Sequence, residues 1–170
     1  AAYDSCLQWK DDNVAALNNY AYYISLKGKE LHKAEQMSFK TIKAEPKNGT
    51  YLDTYAWILF MEERYHEAKI YIDQAIANLD STQNNNTVIE HAGDIYAMNG
   101  LTEEALKFWK QSYDAGNKSE GIMTKIKNKR YITEEEIKRM TGGSAVTPDR
   151  KSQSRSGAKK NNKLRNGKKK

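Results

Sequence analysis

Large apolar residues fall three or four positions apart through most of the chain, the spacing that gives a helix one apolar face. One stretch reads Tyr51-Leu52-Asp53-Thr54-Tyr55-Ala56-Trp57-Ile58-Leu59, followed by Tyr65, Ala68, Ile72, Ala75 and Ile76. A later stretch reads Val88-Ile89, Ala92-Gly93-Asp94-Ile95-Tyr96, Gly100, Ala105, Trp109 and Ser112. An earlier one reads Leu17, Tyr20-Ala21, Ile24, Gly28, Ala34, Ile42 and Pro46. Superposed, they are one pattern used three times, with Ala34, Ala68 and Ala105 standing 34 and 37 residues apart. Each use predicts two short helices. Small residues at Ala21, Ala56 and Gly93 mark where a neighbour approaches the first helix closely, and the three alanines do the same for the second. Pro46 predicts a helix end, because a proline disfavours helix at the residue before it.

The pattern resembles the tetratricopeptide repeat, a unit of about 34 residues made of two helices. The resemblance covers roughly residues 13–116, and it implies an all-α fold, a right-handed α-solenoid of antiparallel helix pairs. About three repeat units with a capping helix are expected. Residues 1–12 are read as the end of a preceding repeat helix, so that the chain begins inside a larger array. Residues 13–48, 49–82 and 83–117 form the three units, 118–140 the C-terminal capping helices, and 141–170 a disordered basic tail. The second unit matches most cleanly. The first departs at Ser38 and Thr41, where the family has a large residue and an alanine, and carries one extra residue within Lys27-Gly28-Lys29-Glu30-Leu31. A longer polar connector at 80–86 accounts for the wider second spacing. The order Tyr51 to Trp57, followed by Glu90-His91-Ala92-Gly93-Asp94, is similar to bacterial exported or envelope-associated repeat proteins. That similarity implies a bacterial periplasm or cell envelope rather than the cytoplasm.

Charge divides the chain. Residues 141–170 carry ten Lys or Arg against the single acid Asp149, leaving 18 basic and 21 acidic residues elsewhere within the net charge of +6. A tail so poor in apolar residues cannot offset its ordering entropy and is expected to stay disordered. Without aromatics, any contact it makes with nucleic acid or an anionic surface is expected to be unspecific and salt-sensitive. The lone Cys6 excludes an internal disulfide and is read as a packing residue. No secretory leader and no apolar run of the ~20 residues that span a bilayer are read in the sequence. Between repeats and tail, Ile122, Met123, Ile126 and Tyr131 are read on one helix face, with Lys125, Lys127, Lys129 and Arg130 elsewhere. This amphipathic helix suits the open end of a solenoid, and its basic character also fits a membrane surface. Thr133-Glu134-Glu135-Glu136 predicts an N-cap followed by acids in the first turn.

In the family that the chain resembles, the first helix of each pair lines a concave groove. Carried over by position, the groove residues are Asn18 and Tyr22, then Asp53, Trp57 and Phe60, then Glu90, Asp94 and Met98. Members that grip a peptide's C-terminal carboxylate place lysine, arginine and asparagine there, whereas these positions are largely acidic. The implied ligand is an extended protein or peptide segment with basic and apolar side chains. Alternative readings put Trp57 between helices, and leave Asp53 and Asp94 solvated or capping local amides. The resulting expectation is a non-catalytic protein–protein interaction scaffold. Its alternative is an adaptor whose basic tail binds nucleic acid or an anionic surface while the repeats hold a protein. A fold-back of the tail over its own acidic groove is a third arrangement. Glu90, His91 and Asp94 are chemically able to bind a metal or move a proton. His91 and Asp94 read as a surface pair, however, and His32 and His66 as residues of the connectors. No cofactor, metal or catalytic residue is expected.

Overall fold

The computed structural model describes residues 13–142. Readings that concern residues 1–12, Cys6 and the tail beyond Gly142 lie outside the described residues. Among the described residues there are eight helices and no strand. They are α1 (Val14–Leu26), α2 (Leu31–Ala44), α3 (Gly49–Met61), α4 (Tyr65–Ala77), α5 (Asn86–Met98), α6 (Thr102–Asp114), α7 (Glu120–Asn128) and α8 (Glu134–Thr141). Each helix packs on the next, and α1 also packs on α3, and α3 on α5. The odd-numbered helices of the first three pairs therefore share one layer, which is the stacking of an α-solenoid.

The turn inside each pair is built the same way three times. Gly28 (φ 62°), Glu63 (φ 62°) and Gly100 (φ 78°) occupy the matching position, all left-handed. Glycine takes that conformation freely, while at Glu63 the side chain makes it cost about 1–2 kcal/mol. The extra residue of the first turn is accommodated with a second left-handed residue, Glu30 at φ 52°. In the connector between α4 and α5, Asp80 accepts from the Thr82 amide at 2.9 Å and from its hydroxyl at 2.6 Å.

Close approach follows the small residues. Ala21, Ala34, Ala56, Ala68 and Ala105 are all completely buried. The central helix α3 is buried from Tyr51 through Phe60, because neighbours cover it from both sides. Ser38 and Thr41, which depart from the repeat pattern in chemistry, are fully buried too. Thr41 donates its hydroxyl to the Ser38 carbonyl at 2.6 Å, so one of the two polar groups is satisfied inside its own helix.

After the third pair, α7 starts at the Ser119 cap and stops at left-handed Lys129 (φ 52°). Ile122 packs fully buried with Ala105 and Trp109 of α6. Helix α8 opens with a capping box in which Thr133 and Glu136 exchange side-chain-to-backbone bonds, each 3.2 Å. None of the residues of α8 is buried, but Ile137 lies against Gly121 of α7.

Gly93 shows how tight the third pair is: a methyl group there would run into the Trp109 indole. Gly93→Ala is expected to destabilise the fold by about 1–3 kcal/mol through overpacking. Urea unfolding should show a lower midpoint at unchanged m-value, and an unchanged midpoint would mean that the ring yields freely.

Candidate functional site between the repeat face and the C-terminal helices

Helices α1, α3 and α5 present one face, and the chain's own C-terminal helices lie over it. Between them is a cavity of about 410 Å³. Tyr22 and Leu26 from α1, Trp57 from α3, and Glu90, His91 and Asp94 from α5 line one side. Lys125 of α7, Tyr131 and Ile132 of the following turn, and Glu134, Ile137 and Lys138 of α8 line the other. Of the eight groove positions carried over from the repeat pattern, Tyr22, Trp57, Glu90 and Asp94 thus meet at the cavity. Asn18, Asp53, Phe60 and Met98 do not line it. The first three of these are buried and Met98 is exposed.

Aromatic rings build the floor. Trp57 stacks between Phe60 at 4.7 Å and His91 at 4.0 Å, both within 16° of parallel. Tyr131 meets Phe60 edge-on at 5.2 Å. Trp57 is only 9% exposed, as the reading between helices anticipates, yet it also lines the cavity. Its indole N–H has no acceptor among the described residues, an arrangement that costs about 1–3 kcal/mol when left dry.

The charged residues behave differently from their sequence reading. Asp53 and Asp94 are buried rather than solvated, and His91 is buried rather than part of a surface pair. His91 Nδ1 lies 2.8 Å from Asp53 Oδ1, joining two adjacent repeats. Asp94 accepts from Trp109 Nε1 at 3.0 Å. Lys125, read as a polar-face residue of α7, is instead turned inward, while Met123 is 43% exposed. The ammonium of Lys125 reaches Glu90 at 2.9 Å and Asp94 at 2.8 Å, and those two carboxylates are what permit its burial. Asn117 adds a 2.7 Å bond to Glu90.

Proton affinities follow from this packing. Burial pushes the His91 imidazole down, but the Asp53 carboxylate, helped by Asp94 and Glu90, more than reverses it and leaves His91 raised. For Lys125, burial likewise works against the charge, and Asp94 and Glu90 overcome it, so its ammonium is held. Burial alone would raise Glu90, yet Lys125 and Asn117 hold it below its ordinary value. For Asp94, burial wins over Lys125 and the carboxyl is raised.

His32 and His66 lie not in the connectors but in the first turns of α2 and α4. His32, Glu35 and Glu62 bring one donor atom each within 4.8 Å of one another. Arg64 Nη1 already bonds Glu35 at 2.7 Å and Glu62 at 2.9 Å, so a cation is in place there. No described helix is long and apolar enough to cross a membrane.

The fold is similar to that of solved tetratricopeptide-repeat domains. No family model and no curated protein matches the sequence. Among solved structures, the chain is similar to the first TPR of Spaghetti (RPAP3) bound to HSP90 peptide SRMEEVD, at 15% identity and a TM-score of 0.60. That match covers 69% of this chain and 90% of the other. The first TPR domain of human RPAP3 aligns with a TM-score of 0.59 at 14% identity, over 77% of this chain and 96% of its own. The N-terminal domain of stress-induced protein-1 from C. elegans gives 0.55 at 20% identity, over 69% and 94% of the two chains.

Two outcomes test the charge arrangement. Lys125→Met, which strands two carboxylates, is expected to cost about 3–5 kcal/mol in urea unfolding. Adding Glu90→Gln and Asp94→Asn should recover most of that loss, since the side-chain amide oxygen of the second change still accepts from Trp109. The His91 value is raised in the folded chain above its ordinary 6.5. Its contribution is therefore complete below pH 6.5 and fades as pH rises through the folded value. The stability difference between native chain and His91→Gln should shrink along that alkaline limb, and a difference constant with pH would contradict it.

Proposed function

We propose that this chain is a non-catalytic protein–protein interaction scaffold that takes a peptide segment on the face of α1, α3 and α5. The observation that carries this reading is the 410 Å³ cavity on that face, with aromatic rings and a few polar groups converging on it. The repeat domain of RPAP3, to which the fold is similar, is described as bound to a peptide. The buried charged groups at this cavity hold one another: His91 with Asp53, and Lys125 with both Glu90 and Asp94. Such closed pairs stabilise and position; they leave no free base beside a nucleophile, which speaks for binding rather than for turnover. The carboxylates here also disfavour a ligand that presents acidic side chains or a free C-terminal carboxylate.

Selection of displayed random peptides on the whole chain, followed by calorimetric titration of the winners, tests the reading. Tyr22, partly buried against the core, and the 52% exposed Leu26 line the α1 side of the cavity. Tyr22→Ala with Leu26→Asp is expected to weaken the selected peptides at least about tenfold, the size of losing an aromatic and an apolar contact. Leu26→Asp alone, at an exposed side chain, should also weaken binding while its thermal midpoint stays close to that of the native chain. Undiminished binding by this double variant would remove the proposal.

A further inference from the structure

The half-enclosed cavity differs from an open groove, and its walls specify a chemistry. We infer that the cavity beneath α8 receives the basic side chain of the bound peptide, its cation resting against the Tyr22 and Tyr131 rings with Glu134 at the rim. This rests on the peptide-binding reading above and names the ligand class for it. Three observations carry it.

The first is a cation already bound nearby. The chain places its own Lys125 ammonium 5.5 Å from the centre of the Tyr131 ring and against Glu90 and Asp94. Aromatic faces attract cations, more so when water is kept away, and this part of the site holds one. The second is charge balance. Glu90, Asp94 and Glu134 line the cavity against Lys125 and the exposed Lys138, while Asp53 behind the wall answers His91. One negative charge is left over for a guest. The field at the neighbouring phenols has that sign: burial, then Asp53, Glu134 and Glu90, push Tyr22 up to about 12. Tyr131 is raised by burial and by Asp94, Glu134 and Glu136 among others. The third is space. A cavity of about 410 Å³ falls within the ~300–1,000 Å³ of small-molecule pockets and has room for one long side chain.

The roof suits a site that must admit a guest. Helix α8 has no buried residue; Ile137 lies against Gly121, Arg130 reaches Glu136 at 3.4 Å, and the capping box keeps it helical. It hangs from left-handed Lys129 through the buried Ile132. Moving α8 outward exposes the cavity without breaking the Lys125 bonds, which belong to α7.

The test titrates the isotope-labelled full chain with Nα-acetyl-lysine amide, the neutral Nα-acetyl-norleucine amide that lacks the ammonium, and Nα-acetyl-glutamate amide. The readout is the Trp57 indole N–H resonance. The lysine compound is expected to give a saturable shift, with the other two at least about tenfold weaker. Glu134→Gln, an exposed change outside the capping box, should weaken the lysine compound about threefold, and added salt should do likewise. An equal response to norleucine, or none to lysine, overturns the cation pocket. Displayed peptides that still depend on Tyr22 and Leu26 would then leave the groove reading standing with another ligand chemistry, whereas loss of both results would remove both.

Discussion

The ammonium of Lys125, enclosed with only 5% of its residue exposed, constrains everything that follows α6. A buried ammonium is costly by several kcal/mol unless its partners are well placed, and Glu90 and Asp94 of α5 are those partners. The bond therefore fixes the rotation of α7 about its axis: Ile122 and Lys125 point inward and Met123 outward. That rotation carries Tyr131 to Phe60 and Ile132 into the interior, and so decides where α8 lies. A lysine thus turns the charge of the repeat face toward the chain's own terminus. What remains for a partner is the smaller, half-closed space beside it.

The solenoid was legible because its signal is redundant. Apolar spacing, buried alanines and the turn position at Gly28, Glu63 and Gly100 repeat three times, so a local irregularity such as Ser38 does not hide the pattern. Half of the site was legible for the same reason: Tyr22, Trp57 and Asp94 occupy equivalent places on first helices, and Glu90 lies one turn before Asp94. The other half was not. Hydrophobic periodicity assigns every lysine outward, and Lys125 is inward only because two carboxylates on another helix neutralise it. A clue was present in the spacing, since Ile122 and Lys125 are i and i+3 and share a face. Nothing local, however, distinguishes Lys125 from Lys127 or Lys129. The pairing of His91 with Asp53 was similarly hidden, because it joins residues one repeat apart whose side chains meet only after stacking.

The site is thus neither an open groove nor a sealed core. Its floor is rigid: Phe60, Trp57 and His91 form a stack whose middle and end rings are pinned by helix packing and by Asp53. Its roof is a short helix with no buried residue. A stiff aromatic floor under a light roof keeps the ordering cost of binding on the roof, where few contacts must be given up. The packing of α3, buried from both sides, is what keeps the floor stiff.

The stacking of each helix on the next also bears on how the chain reaches its structure. The bond from His91 to Asp53 spans 38 residues and that from Lys125 to Glu90 spans 35, about one repeat length each. Encounters over such distances close loops of modest entropy, and helical topologies of this kind assemble quickly. Assembly then has a natural order. The acids of α5 precede Lys125 in the chain, so the C-terminal helices are made after the face they cover. During synthesis, which proceeds from the N-terminus, the repeat face is complete and uncovered for as long as the ribosome still holds the segment that will roof it.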